Sequence, residues 1–261
     1  TGVVRDGLAF TTLGTSGVVY AHSSQVQIDP KGRVHTFCSA VPGEWHIMGV
    51  ALASGLSLKW FRDNFCTEEI AQAQREGVDP YVVMDREAAG IRPGSDRLLY
   101  LPYLMGERTP HLNPDCRGVF FGLSAIHTRA HLIRAVMEGV SFSMLDALKI
   151  LKELNVSVSE MLACGGGGSS PLWRKILSDM FGCPVTTVES NGGPSLGVAL
   201  LAGVGTGAYN SVPEACDAVI RKDKLQQPDP ALTALYGGYH SLFAQLYKSL
   251  EKDFSTLGGL S

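Results

Sequence analysis

The order of hydrophobic patterns along the 261-residue chain predicts the α/β fold class: a mixed sheet with helices on both faces. Three observations carry the prediction. β-rich runs come before any helix, short apolar strands then alternate with helical periodicity, and residues 128–154 hold the strongest 3.6-residue stripe in the chain. Hydrophobic residues make up 45% and charged residues 18% of the sequence, which excludes disorder as the main state. A net charge of −3 and an isoelectric point near 6.1 give no basic field, so no nucleic-acid partner is expected. No apolar run reaches the length of about 18 residues that a membrane span needs, and no membrane partner is expected.

Each element has its own warrant. Residues 8–21 read as two β runs meeting at Gly14-Thr15-Ser16-Gly17, a hairpin signal because glycine tolerates the backbone angles of a tight turn. After the turn sequence Asp29-Pro30-Lys31-Gly32, a third strand is expected over 34–41. From Ala51 to Phe65 the spacing of Leu52, Leu56, Trp60 and Phe61 is helical. The stretch 67–97 is more polar and reads as an elaborated connection with a helix at 68–76. A strand is expected at 98–104, a Gly-, Pro- and charge-rich loop at 105–118, and a long core helix at 128–154 with Thr128 as N-cap. Within that helix's stripe, Glu138 must either reach solvent or meet a donor, since a buried unpaired carboxylate is costly. There follow a strand at 160–164, a glycine run, a helix at 171–181 closed by Gly182, and a strand at 185–188. A helix opened by Gly193-Pro194 and two tail helices, at 212–220 and 229–253, complete the order.

The six cysteines are scattered, with no CxxC pair and no signal-peptide pattern, which predicts free thiols in a cytoplasmic chain. The first residue is Thr1 rather than methionine, and the chain is expected to be part of a longer polypeptide.

Two glycine-rich turns are the candidate sites. Gly14-Thr15-Ser16-Gly17 is either a plain hairpin turn or an anion-binding concavity that aims amides and hydroxyls at phosphate oxygens. It lies between strands, so it is not a Walker loop, whose pattern is absent. The run Cys164 to Pro171 follows a strand and precedes a helix. It reads either as a connector, with Ser170 capping a helix that opens at Pro171, or as a turn that lets a flat ligand approach the backbone. His127 and His131 have the i, i+4 spacing of a helical metal pair, but no Cys or carboxylate ligand is near in sequence and HExxH is missing, so they read as the start of a helix.

Three ordered motifs then carry a family resemblance. The run Gly118 to Leu123, followed by His131-Leu132 and Ala135-Val136-Met137-Glu138, resembles the C-terminal signature of the FGGY carbohydrate kinases. The LGTSG turn before it and the glycine turn after it extend the resemblance from Leu8 to Ala208. The segment GERTPH at 106–111 is similar to the xylulokinase branch of that family. The resemblance implies an actin-like ATPase, ribonuclease H-like fold in two copies, with ATP in the cleft between them. By the same resemblance this chain, residues 1–261, is expected to be the second copy, the C-terminal nucleotide-binding domain, with the N-terminal domain absent from it.

Carried over by the resemblance, Gly14, Thr15, Ser16 and Gly17 meet the β- and γ-phosphates. Gly55 and Lys59 line the phosphate and ribose region, and Gly165, Gly166, Gly167 and Ser170 form the adenine turn. The resemblance also implies Mg²⁺ bridging phosphate oxygens, D-xylulose as a small-molecule substrate held mainly by the absent domain, and a homodimer. The chain departs from the family at one point: the general base is an Asp in a GxxDN-like segment before LGTSG. Asp6 is the one Asp in that position and its context does not match, so no catalytic residue is expected in this chain. Another sugar kinase of the family, for ribulose, gluconate or glycerol, is the alternative, and a non-catalytic actin-like module is a more distant one.

Overall fold

The computed structural model describes residues 1–189 and 192–260. Its main sheet grows from the first hairpin. Strands β1 (Gly7–Leu13) and β2 (Gly17–Ser23) pair antiparallel, with Leu13 opposite Gly17. On β1, Ala9, Thr11 and Leu13 alternate into the core, the period of a strand covered on one face. Strands β3 (His35–Cys38) and β4 (Trp45–Ala51) extend the sheet beyond β2, both in antiparallel pairing.

The expectation of three strands before the first helix therefore falls one short. In β4 the inward positions are Ile47, Gly49 and Ala51, and the two small ones, Gly49 and Ala51, blur a hydrophobic alternation. They are small because the long core helix lies close, a β-carbon on Gly49 falling 2.6 Å from that of Ala147. Helix α1 (Gly55–Phe65) starts four residues later than its spacing suggested, since Ala51 belongs to β4.

Two helices fill the polar connection. Helix α2 (Thr67–Glu76) matches its expected position. Helix α3 (Pro80–Ala89) was not expected, although Asp79 caps it by accepting the Tyr81 amide and Pro80 opens it, a regular N-terminal signal. The strand expected at 98–104 shrinks to β5 (Leu99–Leu101), which pairs with β6 (Val119–Phe121) in a separate two-stranded sheet. That sheet packs on α4 (Arg129–Glu153), where a side chain on Gly139 would collide with the Tyr100 carbonyl.

Helix α4 is the centre of the core. Val136, Met137, Val140, Met144, Leu148 and Leu151 on it are fully buried. The carboxylate of Glu138 resolves its two options by pairing: it accepts from Arg134 Nε at 2.8 Å, the Tyr236 hydroxyl at 2.8 Å, Ser95 Oγ at 2.9 Å and the Gly94 amide at 3.1 Å. Strand β7 (Val158–Cys164) follows, then a four-residue helical turn α5 (Gly165–Gly168) where a glycine run was expected. Helix α6 (Pro171–Phe181) and strand β8 (Val185–Val188) have the expected bounds.

Helices α7 (Gly193–Gly205) and α8 (Val212–Val219), strand β9 (Lys222–Gln226) and helix α9 (Pro230–Gly258) complete the chain. The seven strands of the main sheet run in the order β3-β4-β2-β1-β7-β8-β9. The β1–β7 and β7–β8 pairs are parallel and β8–β9 is antiparallel. Strand β9 was missed because its sequence, KDKLQ, is polar and mostly exposed, as suits a sheet edge that must not recruit another strand. Leu200 of α7 and Val212, Ala215 and Cys216 of α8 form a second, smaller apolar cluster with Val4. The six cysteines are free thiols, and no helix among the described residues is long and apolar enough to cross a membrane.

Candidate functional site

Three strands deliver their ends to one edge of the sheet. Strand β1 ends at Leu13. Strand β7 lies parallel to it with Cys164 beside Thr12, and β4 ends at Ala51 opposite Gly17. The hairpin, the glycine turn and the start of α1 therefore meet, at the carboxyl ends of parallel strands where open α/β sheets hold their ligands.

The hairpin tip is fastened from one side. Ser54 and Leu56 donate their amides to the Thr15 carbonyl at 3.1 Å, and Gly55 donates to the Gly14 carbonyl at 2.7 Å. A β-carbon on Gly55 would lie 2.5 Å from that Gly14 oxygen, so only glycine permits the approach. With these carbonyl oxygens occupied, the tip offers donors: Thr15 and Ser16 are exposed and carry hydroxyls.

The glycine turn is equally specific. Gly165 has φ +76°, which favours glycine, and a β-carbon there would press on the Leu13 backbone at 3.0 Å. A side chain on Gly167 would meet Leu13 at 2.6 Å, whereas Gly166 faces open space. Helix α6 then begins as its sequence indicates: Ser170 Oγ accepts the Trp173 amide at 3.0 Å, with Pro171 in the first turn. Beneath the turn the buried Arg174 guanidinium donates to the carbonyls of Gly168 at 2.7 Å and Ser169 at 2.9 Å.

A cavity of about 590 Å³ lies between these parts. Of the residues expected at the site, Gly14, Thr15, Gly55, Lys59, Gly166, Gly167 and Ser170 line it. Ser16, Gly17 and Gly165, chain neighbours of these residues, do not line it. Gly17 is glycine for packing, since a β-carbon would strike the Met144 side chain and Ser54. Lys59 stands at the rim with its ammonium paired to Asp63. One wall was not foreseen: Asp79, Tyr81, Val82 and Asp85, all from α3 and its cap. The Asp79-Pro80 start signal was available in the sequence, but nothing local tells that this helix faces the turns.

Other candidates fall elsewhere. Asp6 accepts the Ser24 amide at 2.8 Å and the Ser24 hydroxyl at 2.6 Å, and it precedes β1, at the end of that strand away from the hairpin. The two helix-start histidines act as caps: His127 Nδ1 accepts the Ser124 amide and His131 Nδ1 the Thr128 amide. No group of three His, Cys, Asp or Glu side chains among the described residues is placed to hold a metal ion. The carboxylates that line the cavity are those of Asp79 and Asp85, and the hairpin carries hydroxyls and amides.

Comparison with known proteins identifies the family and the fold. The profile of the FGGY family of carbohydrate kinases, C-terminal domain, matches residues 9–206. Xylulose kinase of Bacillus subtilis (strain 168) is 33% identical over 255 residues, 98% of this chain and 49% of that protein. Gluconokinase of the same organism is 39% identical over 256 residues, 97% of this chain and 49% of that protein. The crystal structure of xylulose kinase from Rhodospirillum rubrum superposes with a TM-score of 0.86 at 29% identity, over 97% of this chain and 49% of that one. The chain thus spans about half the length of the relatives it matches, and it has the actin-like ATPase fold of these sugar kinases. It belongs to the FGGY family of carbohydrate kinases, and what it matches there is the C-terminal half.

Proposed function

We propose that residues 1–261 are the nucleotide-binding domain of a two-domain sugar kinase, and that the whole protein transfers the γ-phosphoryl group of ATP to the 5-hydroxyl of D-xylulose, giving D-xylulose 5-phosphate. The observation that carries this reading is the convergence of the hairpin and the glycine turn on one 590 Å³ cavity. Phosphoryl transfer depends on positioning and charge stabilisation more than on covalent help from the protein. ATP, with Mg²⁺ as the counter-ion of its phosphates, supplies the group that is moved.

The chain's own residues bind and orient. The amides and hydroxyls around Gly14, Thr15 and Ser16 hold phosphate oxygens, Gly55 lets α1 close on the hairpin, and Lys59 adds charge at the rim. Gly165, Gly166 and Gly167 admit a flat base, and Leu13, Leu58 and Trp173 keep water from it. The sugar and the proton-accepting carboxylate belong to the other half. A cytoplasmic homodimer with no nucleic-acid partner completes the proposal.

The identity of 39% to a gluconokinase supports D-gluconate as the second reading of the acceptor. Titration of the chain with ATP and ADP, followed by calorimetry, tests the core of the proposal. Binding is expected in the wild type and a loss of at least about tenfold in Gly166→Val, whose branched side chain enters the cavity. Unchanged binding in a folded Gly166→Val variant would remove the glycine turn from the site. For a longer polypeptide ending in this chain, ADP release with D-xylulose but not with D-gluconate decides the acceptor.

A further inference from the structure

The glycine turn needs a polar group that reads the ligand, and most groups nearby already have partners. Ser170 uses its hydroxyl to accept the Trp173 amide. Arg174 is spent on the carbonyls of Gly168 and Ser169. Asp79 caps α3, and Lys59 is held by Asp63. Asp85 differs from them. It lines the same cavity as Gly166, Gly167 and Ser170, and its carboxylate brings acceptor capacity to that wall, since a carboxylate offers about four lone-pair sites.

We propose that Asp85 selects the base of the nucleotide, its carboxylate accepting the exocyclic amine of adenine and repelling the carbonyl oxygen that guanine carries in the same place. This rests on reading the cavity as a nucleotide site. Burial pushes the Asp85 carboxyl above its usual range, opposed by the Ser170 hydroxyl and the Arg174 charge, and in such partly dry surroundings an unmatched acceptor pair is expensive.

The test is titration of the chain with ATP, GTP and 2′-deoxy-ATP, in the wild type, Asp85→Asn and Asp85→Ala, with circular dichroism as the check on folding. The wild type is expected to prefer ATP over GTP by at least about tenfold, and both variants to bring the two within about threefold, with the 2′-deoxy-ATP to ATP ratio unchanged. An unaltered ATP to GTP ratio in both variants overturns the assignment. So does a selective loss of the ribose dependence, which would put Asp85 against the ribose hydroxyls. Gly166→Val in the same series separates the two levels. Its loss of ATP binding together with an unchanged ratio in the Asp85 variants rejects Asp85 alone, whereas a chain that binds none of the three nucleotides rejects the site as well.

Discussion

Val140 and Glu138 lie two residues apart on α4, both almost wholly buried, and they show how differently the core treats an apolar and a charged side chain. Glu138 is accommodated because four donors reach its carboxylate, one of them from Arg134, which is buried and bonds also to the Ala88 carbonyl. Such a pair is neutral only while both members and their hydrogen bonds remain. At Val140 no such set exists, and the residue packs in the main apolar core. Val140→Asp is therefore expected to lower stability by several kcal/mol, roughly 3 or more. Chemical denaturation checks it, and a midpoint equal to wild type would mean that this face of α4 does not support the core.

The loop between β5 and β6 acts as an element through Glu107. Its carboxylate accepts the Leu52 amide at 3.0 Å, the Arg108 amide at 2.8 Å and the Ser143 hydroxyl at 3.3 Å, tying the loop to the β4–α1 junction and to α4. Burial pushes the Glu107 carboxyl up to about 7, against the pull of those donors. An acid raised in the folded state binds its proton more tightly there than in the unfolded chain. Its contribution is therefore most favourable at low pH and falls as pH rises through the window from about 4.5 to about 7, by up to roughly 3 kcal/mol. Glu107→Gln removes that slope while keeping an acceptor for the amides. Denaturation midpoints at pH 5 and pH 8 are expected to differ less in the variant than in the wild type, and equal differences would show that Glu107 does not titrate with folding.

For the whole molecule, the most apolar helix is also among the least covered. On α7 Leu200 is the buried residue, while Val198 is 67% and Leu201 45% exposed. Exposed apolar surface of this kind favours self-association. Leu201→Glu is expected to lower the stability of the isolated chain by no more than about 1 kcal/mol, since nearly half of the side chain is already exposed, while reducing concentration-dependent association in sedimentation experiments. A large loss of stability would mean that α7 contributes to the core through Leu201. At the same scale, the proposed absence of the base and of most sugar contacts predicts no measurable ADP release by the isolated chain with D-xylulose. Turnover near a normal kinase rate would overturn the two-domain assignment.

The local features were legible before the fold. Helices α4 and α6, strand β8, the first hairpin and the cap at Ser170 are written in spacings of two to four residues and in the turn chemistry of Gly and Pro, which depend on near neighbours alone. The resemblance carried by the LGTSG, FGGY-type and glycine-turn motifs placed the family. Tertiary structure decided the rest. Strand β4 and the polar edge β9 escaped because their identity comes from the strands beside them. The parallel pairing that sets Cys164 next to Thr12, and so joins two distant turns into one cavity, leaves no periodic trace, because it is a contact between residues far apart in the chain. The same holds for α3: its start is spelled by Asp79-Pro80, but that Asp85 faces the glycine turn follows only from how the chain folds back on itself.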